Sequence, residues 1–203
     1  MIEEKAMYKI SYGLYLLTSK DKNGRDNGSI INTAVMLTDT PKRITVNVNR
    51  ETYTNEILKK NGVFNLSVLT ESAPFELFKR FGYQSGKTTD KFEGLQSVAR
   101  TENGLLYLTE HANAVISAKV IDGIDYGTHT LFVAEVTDAK VLSDAPSATY
   151  GYYFARVKPK DKIPQGKKGY ICKICGYIYE GEPLPEDFIC PVCKYPASYF
   201  VKL

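Results

Sequence analysis

All four cysteines of the chain fall in two pairs near its end, Cys172-x-x-Cys175 and Cys190-x-x-Cys193. Two such pairs on a short segment gather thiolate sulfurs around one point, which is a tetrahedral metal site. No histidine lies near them, so the ligand set is sulfur only. Structural zinc and redox iron are the candidates. A segment this short needs its ion to fold, because it cannot build a sufficient core.

The rest of the chain is ordinary in bulk. With 203 residues, 43% hydrophobic and 24% charged, it suits one medium domain plus the metal tail. The formal charge of +3 is too small to argue for nucleic acid or a membrane surface. No apolar run approaches the roughly 20 residues of a membrane span. The start, Met1-Ile2-Glu3-Glu4-Lys5, lacks the apolar region of a signal peptide, so a cytoplasmic location is expected. Reducing conditions there favour metal binding by the cysteines over disulfides.

Residues 8 to about 155 read as mainly strand with two short helices. Tyr8–Thr18, Ser29–Leu37, Arg43–Asn49 and Val63–Leu69 are predicted strands. In the third, Ile44, Val46 and Val48 alternate with Thr45, Asn47 and Asn49. Thr52–Lys60 is predicted helical, with a threonine cap and Gly62 as its stop. Ser72–Arg80 is a second helix, with Phe75, Phe78 and Phe81 as core packing and Gly82 at its end. Lys87–Glu93 is a polar loop. Two longer strands follow, one alternating through Ala114, Ile116, Ala118 and Val120, the other from Thr130 to Val141. Asp122–Gly127 can join them as a hairpin. Many strands without regular strand–helix alternation argue for a barrel or sandwich. Residues 158–168 carry charge, proline and glycine and read as a linker between a domain at 1–157 and a tail at 169–203.

Around the cysteines stand Tyr170, Tyr177, Tyr179, Phe188, Tyr199 and Phe200. An aromatic shell limits solvent at an iron–sulfur centre. Gly176 lets the backbone turn its amides toward sulfur. With its Cys-Gly-Tyr-x-Tyr and Cys-Pro-x-Cys signatures, the segment resembles rubredoxin. Its short middle loop is similar to the rubredoxin-like tail of rubrerythrins, with Phe188 in an aromatic position. The resemblance implies one iron on Cys172, Cys175, Cys190 and Cys193, cycling between ferric and ferrous.

The front domain has neither a Rossmann glycine pattern nor a P-loop. The strand ending at Asn49 runs into a helix start, Arg50-Glu51-Thr52-Tyr53-Thr54. Free amides, two hydroxyls and an arginine there suit a phosphate; plain capping by the threonines is the other reading. The order of Gly13-Leu-Tyr-Leu-Leu-Thr, Asn27-Gly-Ser-Ile-Ile-Asn-Thr-Ala, the Pro41–Arg50 strand, Thr52-x-Thr54, Phe81-Gly-x-x-Ser-Gly with Asp90-Lys-Phe, and Gly127-Thr-His129 resembles the flavin-reductase-like FMN-binding split-barrel family.

That resemblance implies FMN in the cleft of a homodimer. Ser29, Ile30, Ile31, Asn32, Thr33 and Ala34 would border the isoalloxazine. Asn47, Val48 and Asn49 would follow the ribityl chain. Thr52 and Thr54, with Arg50 beside them, would hold the phosphate, and Lys87 and Lys91 would add charge. His129 is either a catalytic residue at the flavin edge, placing a nicotinamide, or a hydrogen-bonded structural histidine. His111 reads as structural.

Flavin plus tetrathiolate iron on one chain makes a two-to-one electron converter. The architecture resembles the high-molecular-weight rubredoxin family. It implies an oxidoreductase passing electrons from NAD(P)H through FMN to iron and on to a partner such as a flavodiiron protein. Two other functions remain open at this stage. One is a plain flavin reductase with a zinc tail; the other is a non-catalytic FMN and iron carrier.

Overall fold

The alternation of Ile44, Val46 and Val48 becomes strand β4 (Arg43–Asn49), with all three side chains inside a barrel. The computed structural model describes residues 3–7, 9–159, 168–173, 176–191 and 195–203. Before β4 come α1 (Glu4–Met7), β1 (Tyr15–Lys20), β2 (Asp26–Ile31) and β3 (Ala34–Thr38). After it come α2 (Tyr53–Asn61), β5 (Val63–Leu69), α3 (Phe75–Gly82), β6 (Val98–Arg100), β7 (Leu106–Leu108), β8 (Ala112–Asp125) and β9 (His129–Val141). A short helix α4 (Tyr150–Tyr152) then runs into a π-helical turn at Tyr153–Val157.

One antiparallel sheet has the order β2-β1-β5-β8-β9-β4-β3. Its two outer strands are consecutive in sequence and joined through Asn32 and Thr33. The Asn47 amide donates to the Thr33 carbonyl at 3.2 Å, which pins that joint to β4. The sheet therefore curls until its edges meet at a turn of the chain, the geometry of a split barrel.

Both faces of β1 are covered, so it reads as one apolar run without alternation. Leu17 points inward to Val46, Phe64 and Phe132. Leu16 points outward beneath α3, against Phe78, Phe81 and Leu108. Burying each such side chain contributes roughly 1.5–3 kcal/mol.

Several elements depart from the sequence expectation. The single strand expected over Ser29–Leu37 is two, because the chain must turn at Asn32-Thr33 to cross the barrel. Of the face expected to hold Ala114, Ile116, Ala118 and Val120, the last three pack together against the barrel core. Val115 and Ser117 on the opposite face are buried as well, so both faces of this part of β8 are covered, and the extra residue of the register shift there, Thr137, lies on β9. The hairpin expected at Asp122–Gly127 tightens to Tyr126–Thr128, since β8 stays paired to Asp125. A further helical segment follows Thr149, in a stretch to which the sequence assigns no element of its own.

In the tail, β10 (Tyr170–Cys172), β11 (Ile178–Tyr179) and β12 (Phe200–Lys202) form a three-stranded sheet in the order β11-β10-β12. Cys172, Cys190 and Phe200 form its small core, with Tyr170, Tyr177, Tyr179, Leu184 and Phe188 packed around them. Most of the expected linker, 160–167, lies outside the described residues, as do Cys175 and Cys193. Among the described residues no helix is long and apolar enough to cross a membrane.

Candidate functional site

A cleft of about 510 Å3 opens where the ends of β2 and β4 face the start of α2. That volume falls in the roughly 300–1,000 Å3 range of small-molecule and cofactor sites.

The start of α2 supplies one wall. The Thr52 hydroxyl donates to the Asn49 carbonyl at 2.8 Å and accepts the Asn55 amide at 3.3 Å. Thr52 is thus an N-cap, and its hydroxyl is used within the fold. The amides of Tyr53 and Thr54 have no acceptor within the helix by its geometry, and both residues line the cleft. Thr54 accepts the Asn27 side-chain amide at 2.9 Å.

Asn27 and Ser29 supply the β2 wall. Buried Asn65 has its side-chain oxygen and nitrogen both bonded, to Thr101, Leu105, Asn103 and Ser117 among others. The Asn27 Oδ1 and the Ser29 Oγ have no protein partner. Both residues line the cleft, and orphaned buried polar atoms are costly unless a ligand satisfies them. Gly86 packs so closely that a Cβ there would lie 2.0 Å from Asn27 Oδ1.

Lys91, expected in a polar loop, is only 4% exposed. Its ammonium donates to the Gly28 carbonyl at 2.8 Å and the Phe81 carbonyl at 3.1 Å. Burial pushes its pKa down to about 8. Lys87 sits at the cleft mouth, paired with Glu56 at 2.5 Å and lying over the Tyr53 ring. His129 lines the cleft, with Nδ1 3.0 Å from the Thr128 hydroxyl, and burial holds its pKa below the ordinary histidine value.

Of the residues expected to hold FMN, Ser29, Ile30, Ile31, Asn32, Asn47, Val48, Asn49, Thr52, Thr54, Lys87 and Lys91 line this cleft. Thr33, Ala34 and Arg50 are not on its wall. Thr33 bonds to the Asn47 carbonyl, and Ala34 pairs across to Val46. Arg50 turns toward Asp125, 3.6 Å away. His111, outside the cleft, bonds Ser72 at 3.1 Å and has a φ of 60°, as a structural turn residue would.

Sequence reasoning missed Asn27, although it opens the quoted Asn-Gly-Ser-Ile-Ile motif. It also missed the aromatic side of the cleft, Tyr83, Tyr150, Tyr153 and Phe154. The Tyr83 and Tyr153 hydroxyls are 3.0 Å apart, and burial drives the Tyr153 pKa upward. The rings of Tyr150 and Tyr153 stack with 13° between their planes. Nothing in the sequence around them marks a cleft.

The tail meets this wall. Pro191 and Tyr195 line the same cleft. The Cys172 amide donates to the Tyr177 carbonyl and the Cys190 amide to the Tyr195 carbonyl, both at 2.8 Å. Cys172 and Cys190 are therefore each tied to the residue five positions on by the same backbone bond. Gly176, at φ 77°, turns the first loop back. Cys172 and Cys190 are wholly buried. Two buried thiols on matching loops suit a soft-ligand metal such as iron or zinc. The orphaned atoms, buried ammonium and helix start suit a polar, anionic group in the cleft.

Comparison with known proteins agrees with both halves. Residues 7–160 match the flavin reductase like domain, and residues 170–201 match the rubrerythrin, rubredoxin-like domain. A high molecular weight rubredoxin of Moorella thermoacetica is 35% identical, covering 95% of this chain and 96% of its own. A ferric-chelate reductase (NAD(P)H) of Archaeoglobus fulgidus is 44% identical over 84% of this chain and 98% of its own. An NADH:FAD oxidoreductase of Streptomyces globisporus superposes with a TM-score of 0.64 at 16% identity, over 73% of this chain and 90% of its own. An FMN-binding protein of Thermus thermophilus gives 0.58 at 21%, over 66% and 72%. These two structures share the fold of the front domain. The domain pair makes the protein a flavin- and iron-based electron-transfer oxidoreductase that serves a protein partner. The chain belongs to the flavin reductase-like family and carries a rubrerythrin-type rubredoxin-like domain behind its barrel.

Proposed function

We propose that the chain takes reducing equivalents from NAD(P)H into FMN and delivers them singly, through one iron held by Cys172, Cys175, Cys190 and Cys193, to a protein acceptor. A flavodiiron protein is the acceptor class that the resemblance to high-molecular-weight rubredoxins favours. The modules divide at 1–157 and 169–203, and the site of action is the cytoplasm, where thiolates stay reduced. FMN supplies hydride acceptance and the tetrathiolate iron supplies one-electron exchange.

The residues have separate tasks. The amides of Tyr53 and Thr54 receive the phosphate. Asn27 Oδ1 and Ser29 Oγ, which lack protein partners, meet polar atoms of the flavin. The buried Lys91 ammonium places positive charge behind β2. His129, whose pKa partial desolvation lowers, orders the nicotinamide edge. The tail aromatics exclude water from the metal. A homodimer is supported by edge strand β3, which leaves Val35, Met36 and Leu37 exposed.

One observation carries the reading. The wall of a cofactor-sized cleft combines unpartnered polar atoms of β2 with Pro191 and Tyr195 of the cysteine tail. The test is an ultraviolet–visible spectrum of natively produced protein, with metal analysis, before and after anaerobic NADH or NADPH. Flavin bands and red ferric–thiolate absorption that both bleach are expected. A colourless preparation, or zinc throughout, overturns the reading.

A further inference from the structure

We propose that the turn at residues 85–87 is a clasp over the phosphate end of the cofactor. The Lys87–Glu56 ion pair latches it to α2, and this latch sets how fast the flavin enters and leaves. The inference rests on the reading that a flavin fills the cleft, and adds to it what holds the flavin there.

The clasp is a built element. The Thr88 and Thr89 amides both donate to the Ser85 carbonyl, at 3.2 and 3.1 Å, and the Lys87 amide donates to the Ser85 hydroxyl at 3.3 Å. Residues 85–89 therefore form a closed turn rather than a slack loop. Just beyond it, the buried Lys91 ammonium is bonded to the Gly28 and Phe81 carbonyls. Arg80 donates to the Glu93 carbonyl at 3.0 Å and fixes the following stretch. One side of the clasp is thus anchored to β2 and α3.

The other side crosses to α2. Lys87 Nζ lies 2.5 Å from the Glu56 carboxylate and 5.6 Å from the centre of the Tyr53 ring. That ring is itself held from behind, because the Tyr53 hydroxyl donates to Asp21 Oδ2 at 2.9 Å. Asp21 in turn accepts the Asn23 and Arg25 amides of the β1–β2 turn. Gly86 sits close against the same ring: a Cβ there would lie 3.4 Å from Tyr53 Cδ1.

Placement gives the clasp its task. Ser85, Gly86 and Lys87 line the cleft together with Tyr53 and Thr54, whose amides have no acceptor within the helix. Tyr53 serves both parts, its amide facing the phosphate and its ring seating the clasp. A phosphate received by those amides cannot leave until the turn lifts.

The latch is made of protein groups alone, so it resists entry and exit alike. Breaking it raises both rates, through more frequent local opening, and leaves the affinity nearly unchanged. A lysine that gripped the phosphate directly behaves otherwise. Its loss weakens affinity, and freeing it from Glu56 strengthens affinity and slows release. The two roles differ in sign at Glu56.

The test uses the full chain with iron bound, as wild type, Glu56→Gln and Lys87→Met. Stopped-flow flavin fluorescence gives the rates of FMN uptake and release. An exposed ion pair is weak, so Glu56→Gln is expected to raise both rates about two- to fivefold. Lys87→Met also removes the charge over the ring and is expected to raise both about three- to tenfold, with the dissociation constant within about twofold of wild type. Unchanged rates in both variants overturn the clasp. So does slower FMN release in Glu56→Gln, or a Lys87→Met in which release alone quickens and affinity falls. If no flavin binds wild type or variants, the proposed function fails, and limited trypsin cleavage after Lys87 decides the clasp by itself. Faster cleavage in Glu56→Gln than in wild type supports the latch, and equal rates overturn it.

Discussion

The Cys190 amide donates to the Tyr195 carbonyl at 2.8 Å, while Tyr195 itself lines the cleft. A proposed metal ligand and a residue of the cleft wall are thus joined by one backbone hydrogen bond. Cys190→Ser removes a soft ligand from the centre of the tail core. The expected outcome is loss of iron and of the red absorption, with FMN still bound, because the barrel cores contain no tail residue. Metal analysis and the visible spectrum check this. Loss of FMN as well would sink the division into two modules.

Thr54→Val keeps the shape of its side chain but leaves the Asn27 amide without its acceptor. Asn27 then has both polar atoms unpaired. Urea unfolding should report a loss of about 1–3 kcal/mol. FMN affinity should fall about tenfold, the equivalent of roughly 1.4 kcal/mol, as Asn27 swings out of register. Fluorescence titration of the flavin-free protein measures this, and an unchanged affinity would remove Asn27 from the site.

Lys91 gives the fold a pH dependence of known sign. Burial lowers its folded-state pKa from 10.5 to about 8. Below pH 8 both states hold the proton and the cost of burying charge is constant. Between about 8 and 10.5 the unfolded chain holds more protons than the folded one, so this group makes stability rise with pH, by at most about 1.4 kcal/mol per unit. Lys91→Met should abolish that rise. Thermal unfolding of flavin-free wild type and variant between pH 7 and 10.5 is the measurement. Parallel curves would show that the lysine titrates normally.

Val35, 64% exposed, and Met36, 70% exposed, lie on a strand at the sheet edge. An apolar edge of this kind is covered in a stable assembly or promotes aggregation. Met36→Lys should convert a dimer to a monomer in sedimentation at micromolar concentration, with the visible spectrum of the iron unchanged. A monomeric wild type would refute the dimer.

How much of this was legible depends on whether the signal was local. Strands β4 and β5 carry their own pattern or punctuation, and their predicted ends coincide with the observed ones. Helix α2 was marked by Thr52 and Gly62, which are its observed caps. The alternation through Ile116, Ala118 and Val120 does face the barrel core, while the bulges between β8 and β9 come from their pairing, and no local period encodes a two-against-one step. The turn at Tyr150–Val157 was hidden because Tyr150, Tyr152, Tyr153 and Phe154 have strand propensities, which packing overrides. Asn27 gains its meaning only from Thr54, across the barrel. Lys91 looked like a loop charge because its burial depends on the carbonyls of Gly28 and Phe81, brought in by β2 and α3.

Asn32 and Thr33 hold the barrel together at a joint where the chain itself, rather than a row of interstrand bonds, spans the gap between β2 and β3. The cleft borders that joint. A cofactor entering there parts no ladder. Opening the joint for a prosthetic group would break only the two bonds between Thr33 and Asn47, leaving the paired strands on either side at full strength.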